Sequence, residues 1–128
     1  MKIYTGTDII EVARIKKAIE ETKGFREKVF TAAEQSYCES RKQGAYESYA
    51  ARFAAKEAAA KALGCGLGAQ CGLKECEILN DAATGAPRIN FTGNARNKLD
   101  EMGITSVSVS LSHTDSIATA TVTMLGKD

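Results

Sequence analysis

The chain reads as an α+β protein, an antiparallel sheet with helices packed on it. Two stretches and the composition predict this. Val107, Val109 and Leu111 alternate with Ser106, Ser108 and Ser110, the period of two expected of a half-buried strand. Residues 117–124 return as a partner strand after the tight connection His113-Thr114-Asp115-Ser116. Residues 52–63, Arg-Phe-Ala-Ala-Lys-Glu-Ala-Ala-Ala-Lys-Ala-Leu, hold the residue types that lose least in a helix, and Gly64 stands where a left-handed residue would end it. With 128 residues, 44% hydrophobic and 26% charged, the chain suits one domain, residues 1–128, around a single core.

Taken in order, residues 2–10 form a strand on the strength of Ile3, Ile9 and Ile10. Val12, Ile15 and Ile19 then recur at helical spacing in a segment that Gly24 ends, and Arg14, Lys16, Lys17 and Glu20 occupy its other face. Thr31-Ala32-Ala33-Glu34 matches a capping box and starts a helix running to about residue 42, before Gly44. The alanine-rich helix is expected to begin between Ala45 and Ser48, and the loop Gly64-Cys65-Gly66-Leu67-Gly68 follows it. Glu75-Cys76-Glu77-Ile78 alternates as a strand, residues 80–85 supply a turn, and Arg88-Ile89-Asn90-Phe91 is a further short strand after Pro87, the only proline. Ala95, Leu99 and Met102 mark one face of a short helix that Gly103 closes.

A net charge of +1 does not indicate a broad nucleic-acid surface. Met1 does not begin a basic segment followed by an apolar one, and no apolar run approaches the roughly 20 residues of a membrane span. The expectation is a soluble, cytoplasmic protein with neither nucleic acid nor membrane as partner. The cysteines Cys38, Cys65, Cys71 and Cys76 show no C-x-x-C spacing and His113 is the only histidine, which favours reduced, mostly structural thiols over a zinc site. Cys65 is the one cysteine placed near a ligand loop, but it lacks the histidine neighbour that activates a nucleophile.

Several residues admit both a plain and a chemical reading. Glu57 and Lys61, four apart, are an ordinary solvated-helix pair worth about 0.2–0.5 kcal/mol, or a carboxylate and cation presented together with Phe53 on one side of a helix. On this reading the large groups left on that helix surface are Arg52, Phe53, Glu57 and the lysines Lys56 and Lys61. Asp8, in a strand where aspartate is depleted, either caps the following helix or is solvated, paired or metal-bound. His113 is either a polar turn residue or a ligand contact.

Three motifs decide between these readings: Gly6-Thr7-Asp8-Ile9, Arg52-Phe53-Ala54-Ala55-Lys56-Glu57 with Lys61, and Ser110-Leu111-Ser112-His113-Thr114. With Phe30-Thr31, Glu34 and Tyr37, the Gly64-Cys65-Gly66 loop and the Gly85-Ala86-Pro87 turn, the ordered set resembles the holo-acyl-carrier-protein synthase family of 4′-phosphopantetheinyl transferases over nearly the whole chain. The chain departs from the family at Tyr4, where a glycine is frequent, and at Cys65, where threonine is frequent. The resemblance implies the 4′-phosphopantetheinyl transferase fold. It also implies transfer of the phosphopantetheine arm of coenzyme A to a serine of apo acyl carrier protein, in fatty acid biosynthesis, releasing adenosine 3′,5′-bisphosphate. Asp8 and Glu57 would then bind Mg²⁺, with Mn²⁺ as an alternative. Glu57 would help deprotonate the serine, directly or through a water, and Lys61 would offset phosphate charge. Arg52 and His113 would hold the nucleotide end of coenzyme A, Gly64 and Gly66 would turn backbone N–H groups to the pyrophosphate, and Arg14 would attract an acidic carrier. Family members are homotrimers with sites between subunits, and the same is expected here. A non-catalytic coenzyme A-binding module and a purely structural domain are the competing readings.

Overall fold

A computed structural model of the protein describes residues 1–68 and 71–128. In chain order the elements are β1 (Lys2–Glu11), α1 (Val12–Glu21), α2 (Phe25–Val29), α3 (Ala32–Ser40), α4 (Ala45–Ala62), β2 (Cys76–Asn80), β3 (Pro87–Phe91), α5 (Gly93–Glu101), β4 (Ile104–His113) and β5 (Ile117–Gly126). Each helix and strand expected from the sequence forms within a few residues of its expected bounds. α2 is additional, a five-residue turn of helix too short to leave a periodic signal.

The expected single sheet is two. β1, β5 and β4 form one antiparallel sheet in that order, while β2 and β3 form a separate antiparallel hairpin. In the larger sheet Asp8 lies opposite Ala120, which lies opposite Leu111 on its other side. His113, expected in the connection, is instead the last residue of β4 and pairs with Ala118; the turn closes one step later, where Thr114 N–H donates to the Ile117 carbonyl at 2.8 Å.

The capping box at the start of α3 forms as expected: Glu34 N–H donates to Thr31 Oγ1 at 3.2 Å, and Thr31 N–H donates to Glu34 Oε1 at 2.8 Å. The core is organised around α4, whose Ala50, Ala51, Ala54, Ala55, Ala58, Ala59, Ala60 and Ala62 are all buried. Arg52 and Lys56, expected on the surface of this helix, are buried as well, at 3% and 0% exposure. The reason is that α4 runs between the sheet, α3 and β2, so it has few outward positions to offer. All four cysteines are free thiols; Cys38, Cys71 and Cys76 are buried, and the Sγ atoms of the last two lie 3.2 Å apart.

Helix and sheet approach closely at Gly6. A Cβ at that position would stand 1.9 Å from the Ala58 carbonyl oxygen and 2.8 Å from Ala62 N. Both neighbours are helix backbone and cannot rotate away, so only glycine fits. Gly6→Ala should therefore push α4 off β1 and destabilise the fold by about 1–3 kcal/mol, the usual range for overpacking. Urea denaturation of the two proteins checks this, and a variant as stable as wild type would show that the helix does not rest on the strand there.

Candidate active site

β1 alternates its side chains between the two faces of the sheet, so Asp8 shares the inner face with buried Gly6 and Ile10. That face meets the C-terminal half of α4. There Lys61 Nζ donates to Asp8 Oδ1 at 3.1 Å and to the Thr7 carbonyl at 3.0 Å. Glu57, one helical turn earlier, lies within electrostatic reach of both. Burial holds its carboxyl above the ordinary range, the negative charge of Asp8 adds to the rise, and Lys61 opposes it. Asp8, Glu57 and Lys61 are thus brought together from residues about 50 apart in sequence.

Arg52 lies five residues before Glu57, which is about 140° around the helix. It lines a cavity of about 520 Å³ together with Tyr37, Arg41, Ser48, Asn80, Pro87, Leu111 and His113. The cavity opens where β4 and the β2–β3 hairpin fail to join, so the split into two sheets is what makes room for it. The Arg52 guanidinium lies 4.0 Å from the centre of the Tyr37 ring, donates from Nη1 to Ser48 Oγ at 3.2 Å, and donates from Nη2 to Asn80 Oδ1. Its Nε is buried without a hydrogen-bond partner. The guanidinium of Arg41 sits over the same Tyr37 ring at 5.8 Å. Two arginines and a histidine beside an apolar wall of Leu111, Val109 and Pro87 form a pocket for a ligand with anionic and planar parts. Local sequence does not mark Arg41, Ser48 and Asn80 as site residues, and the motif that contains Tyr37 assigns it no role. A helical wheel does put Ser48, Ala51 and Arg52 on one side of α4, but Asn80 and Tyr37 join them only through tertiary packing.

One expectation about the glycine loop is corrected. Gly64 N–H donates to the Lys61 carbonyl at 3.0 Å, and the N–H groups of Cys65 and Gly66 both donate to the Ala60 carbonyl, at 3.2 and 3.3 Å. The first two of these bonds are a Schellman motif, with Gly64 at φ 76° as its left-handed residue. The loop ends α4 by satisfying helix carbonyls and therefore has no array of free N–H groups to offer a phosphate. Space remains beside it, since a Cβ at Gly64 or Gly66 would meet nothing within 4 Å. Cys65 is not an activated thiol: burial is the main cause that raises its pKa.

The model of the 4′-phosphopantetheinyl transferase superfamily matches residues 4–121. The chain belongs to this superfamily. It is 53% identical over 121 residues to the holo-[acyl-carrier-protein] synthase of Ruminiclostridium cellulolyticum, covering 94% of this chain and 90% of that protein. Among solved structures it resembles the Helicobacter pylori holo-[acyl-carrier-protein] synthase in complex with coenzyme A, at 32% identity and a TM-score of 0.82 over 94% of this chain and 99% of the other. It also resembles the Bacillus anthracis enzyme in complex with CoA (3′,5′-ADP), at 31% identity and a TM-score of 0.80 over 97% and 96% of the two chains. The α+β fold with antiparallel sheets is that of these phosphopantetheinyl transferases, and the chain is an enzyme of their kind. Among the described residues no helix is long and apolar enough to cross a membrane.

The raised pKa of Glu57 has a stability consequence with a definite sign. An acid whose folded-state pKa lies above its unfolded value stabilises the fold at low pH, and that contribution is lost as pH rises through the folded value. Glu57→Gln, which stays neutral, should therefore melt above wild type near pH 7–8 and close to it near pH 4. Thermal melts of the two proteins across that range measure this, and a gap that does not change with pH would contradict it.

Proposed function

We propose that the protein transfers the 4′-phosphopantetheine arm of coenzyme A to a serine hydroxyl of apo acyl carrier protein, leaving adenosine 3′,5′-bisphosphate. The observation that carries this is the convergence of Asp8, Glu57 and Lys61 where β1 meets α4, since a module that only bound the ligand would have no use for a carboxylate pair with a lysine. Burial raises the pKa of Glu57 and the charge of Asp8 adds to the rise, a repulsion that a cation between the two would relieve. Among the described residues no group of three or more His, Cys, Asp or Glu could hold a metal by itself. Two carboxylates, with the other positions left to phosphate oxygens and water, suit Mg²⁺, or Mn²⁺ in its place. Such an ion, held by Asp8 and Glu57, would neutralise the pyrophosphate and sharpen its electrophilic phosphorus.

The chain's own groups do the rest. Glu57, directly or through a water, accepts the serine proton as the serine oxygen attacks the phosphorus nearest the pantetheine arm. The bond from that phosphorus to the bridging oxygen breaks, and the departing bisphosphate keeps the electron pair. Lys61 Nζ, with two N–H groups engaged by Asp8 and Thr7, has a third for the charge that develops on phosphate. Arg52, Arg41 and His113 receive the phosphates of the nucleotide end, and the wall of Leu111 and Pro87 receives its base. Gly64 and Gly66 serve by leaving open space near the lysine. Exposed Arg14 on α1 gives an acidic carrier a point of attraction. This reading places the protein in the cytoplasm, at the step that arms a carrier for fatty acid synthesis, with all of residues 1–128 forming one transferase domain.

The two halves of the site lie on different sides of α4, one toward β1 and the other toward β4. One extended ligand can meet both most directly if the carboxylates of one copy face the pocket of another. A homotrimer with sites between subunits provides this arrangement, and the outer face of β1 offers the exposed apolar residues Ile3 and Ile9, 66% and 67% accessible, for such contacts.

Intact-mass spectrometry of an apo carrier incubated with coenzyme A, Mg²⁺ and the protein should show the gain of one phosphopantetheine arm, abolished by EDTA. Glu57→Gln and Asp8→Asn should each lower the rate by roughly 10²–10⁴-fold while keeping the fold. Coenzyme A binding without any mass gain would move the reading to a binding module. Glu57→Gln and Arg52→Ala chains, inactive separately, should regain about one site in four when unfolded and refolded together. No recovery in the mixture would place both halves of each site within one copy.

A further inference from the structure

Lys56 and Glu34 form a fully buried ion pair, with both side chains at 0% exposure and Nζ 2.8 Å from Glu34 Oε2. Lys56 Nζ also donates to Glu34 Oε1 at 2.8 Å and to the carbonyls of Leu73 and Cys76, each at 2.9 Å. Glu34 Oε2 accepts from Ile78 N–H at 2.8 Å. α3, α4 and β2 therefore meet at one point. Burial lowers the pKa of Lys56, and the facing carboxylate opposes that fall.

The residues around Arg52 sit one short step from this point along each element. Tyr37, whose ring the Arg52 guanidinium faces at 4.0 Å, follows Glu34 by three residues on α3 and so shares its side. Asn80, which accepts from Arg52 Nη2, follows Ile78 by two residues on β2 and so shares its face. Arg52 itself precedes Lys56 by four residues on α4. The elements that hold Arg52 from two directions are thus fastened to its own helix by the same ion pair.

We propose that Glu34 and Lys56 are positioning residues for the nucleotide end of the ligand: their buried pair sets where Tyr37 and Asn80 hold the Arg52 guanidinium. This rests on the phosphopantetheinyl transfer reading above. Replacing a buried ion pair by neutral groups of similar size leaves many folds intact, so a role in geometry separates from a role in stability. The double variant Glu34→Gln/Lys56→Met removes both charges and leaves neither one buried alone.

The test is isothermal titration of adenosine 3′,5′-bisphosphate into wild type and the double variant, at a temperature where circular dichroism shows both folded, together with KM for coenzyme A and for the carrier. The expected result is a Kd at least tenfold weaker and a matching rise in KM for coenzyme A, with KM for the carrier within about twofold. A purely structural pair would lower the active fraction, and with it the apparent kcat, and leave Kd and both KM values in place; that outcome overturns the proposal. If the double variant does not fold, Glu34→Asp takes its place, since it keeps both charges and withdraws the carboxylate by one methylene; an unchanged Kd there overturns the proposal equally. Wild type that neither binds the bisphosphate nor transfers the arm would refute the functional reading instead.

Discussion

The contact between α4 and β1 at Gly6 is the constraint from which the rest of the structure follows. Helix backbone lies where any side chain of residue 6 would be, so the separation of helix and strand is set by main-chain atoms on both sides. A wider spacing would carry Lys61 away from the Thr7 carbonyl and Asp8, and would carry Glu57 away from the Asp8 charge that adds to the effect of burial on its pKa. The alanines of α4 keep that spacing along the helix, and the arginine, lysine and glutamate set among them are held at defined points around a tightly seated rod.

Charge is managed in three different ways around this one helix. Lys56 is sealed from water and matched by a single carboxylate and two carbonyls. Arg52 is buried but only partly matched, with its Nε unpartnered and its face against an aromatic ring, which leaves it able to take up an anion. The Glu57 cluster is in contact with solvent and carries one more carboxylate than cation, an imbalance that favours a ligand bringing positive charge. The sequence Arg-Phe-Ala-Ala-Lys-Glu-Ala-Ala-Ala-Lys therefore encodes three electrostatic environments within three turns.

Much of this was legible in the residues. The alternation of Val107, Val109 and Leu111 with serine, the capping box at Thr31 and Glu34, and the glycine that ends α4 are local signals, and local structure obeyed them. The carboxylate–lysine cluster was legible only through the ordered motifs, because nothing in the spacing from Asp8 to Glu57 says that they meet. Two things were hidden for lack of tertiary information. Lys56 looked like a surface lysine, although its neighbours on the same face are Arg52, Ala59 and Ala60, a poor match for a solvated side. Glu34 belongs to a capping box and to the family motif, and neither says that the same carboxylate also neutralises Lys56 from 22 residues away. The glycine loop showed the opposite error: a motif that looked made for a ligand is occupied with finishing its own helix.

The alanines of α4 carry a consequence of their own. They hold no reactive atom, and a survey of acids, bases and nucleophiles would pass over them. Yet a single added methyl group on the sheet-facing side would shift every charged residue of the helix at once, since all ride on the same rigid backbone. The chemistry of this protein is thus exposed to substitutions with no chemistry in them. Tolerance should be lowest along a stripe of its least functional residues, rather than only at the groups that react.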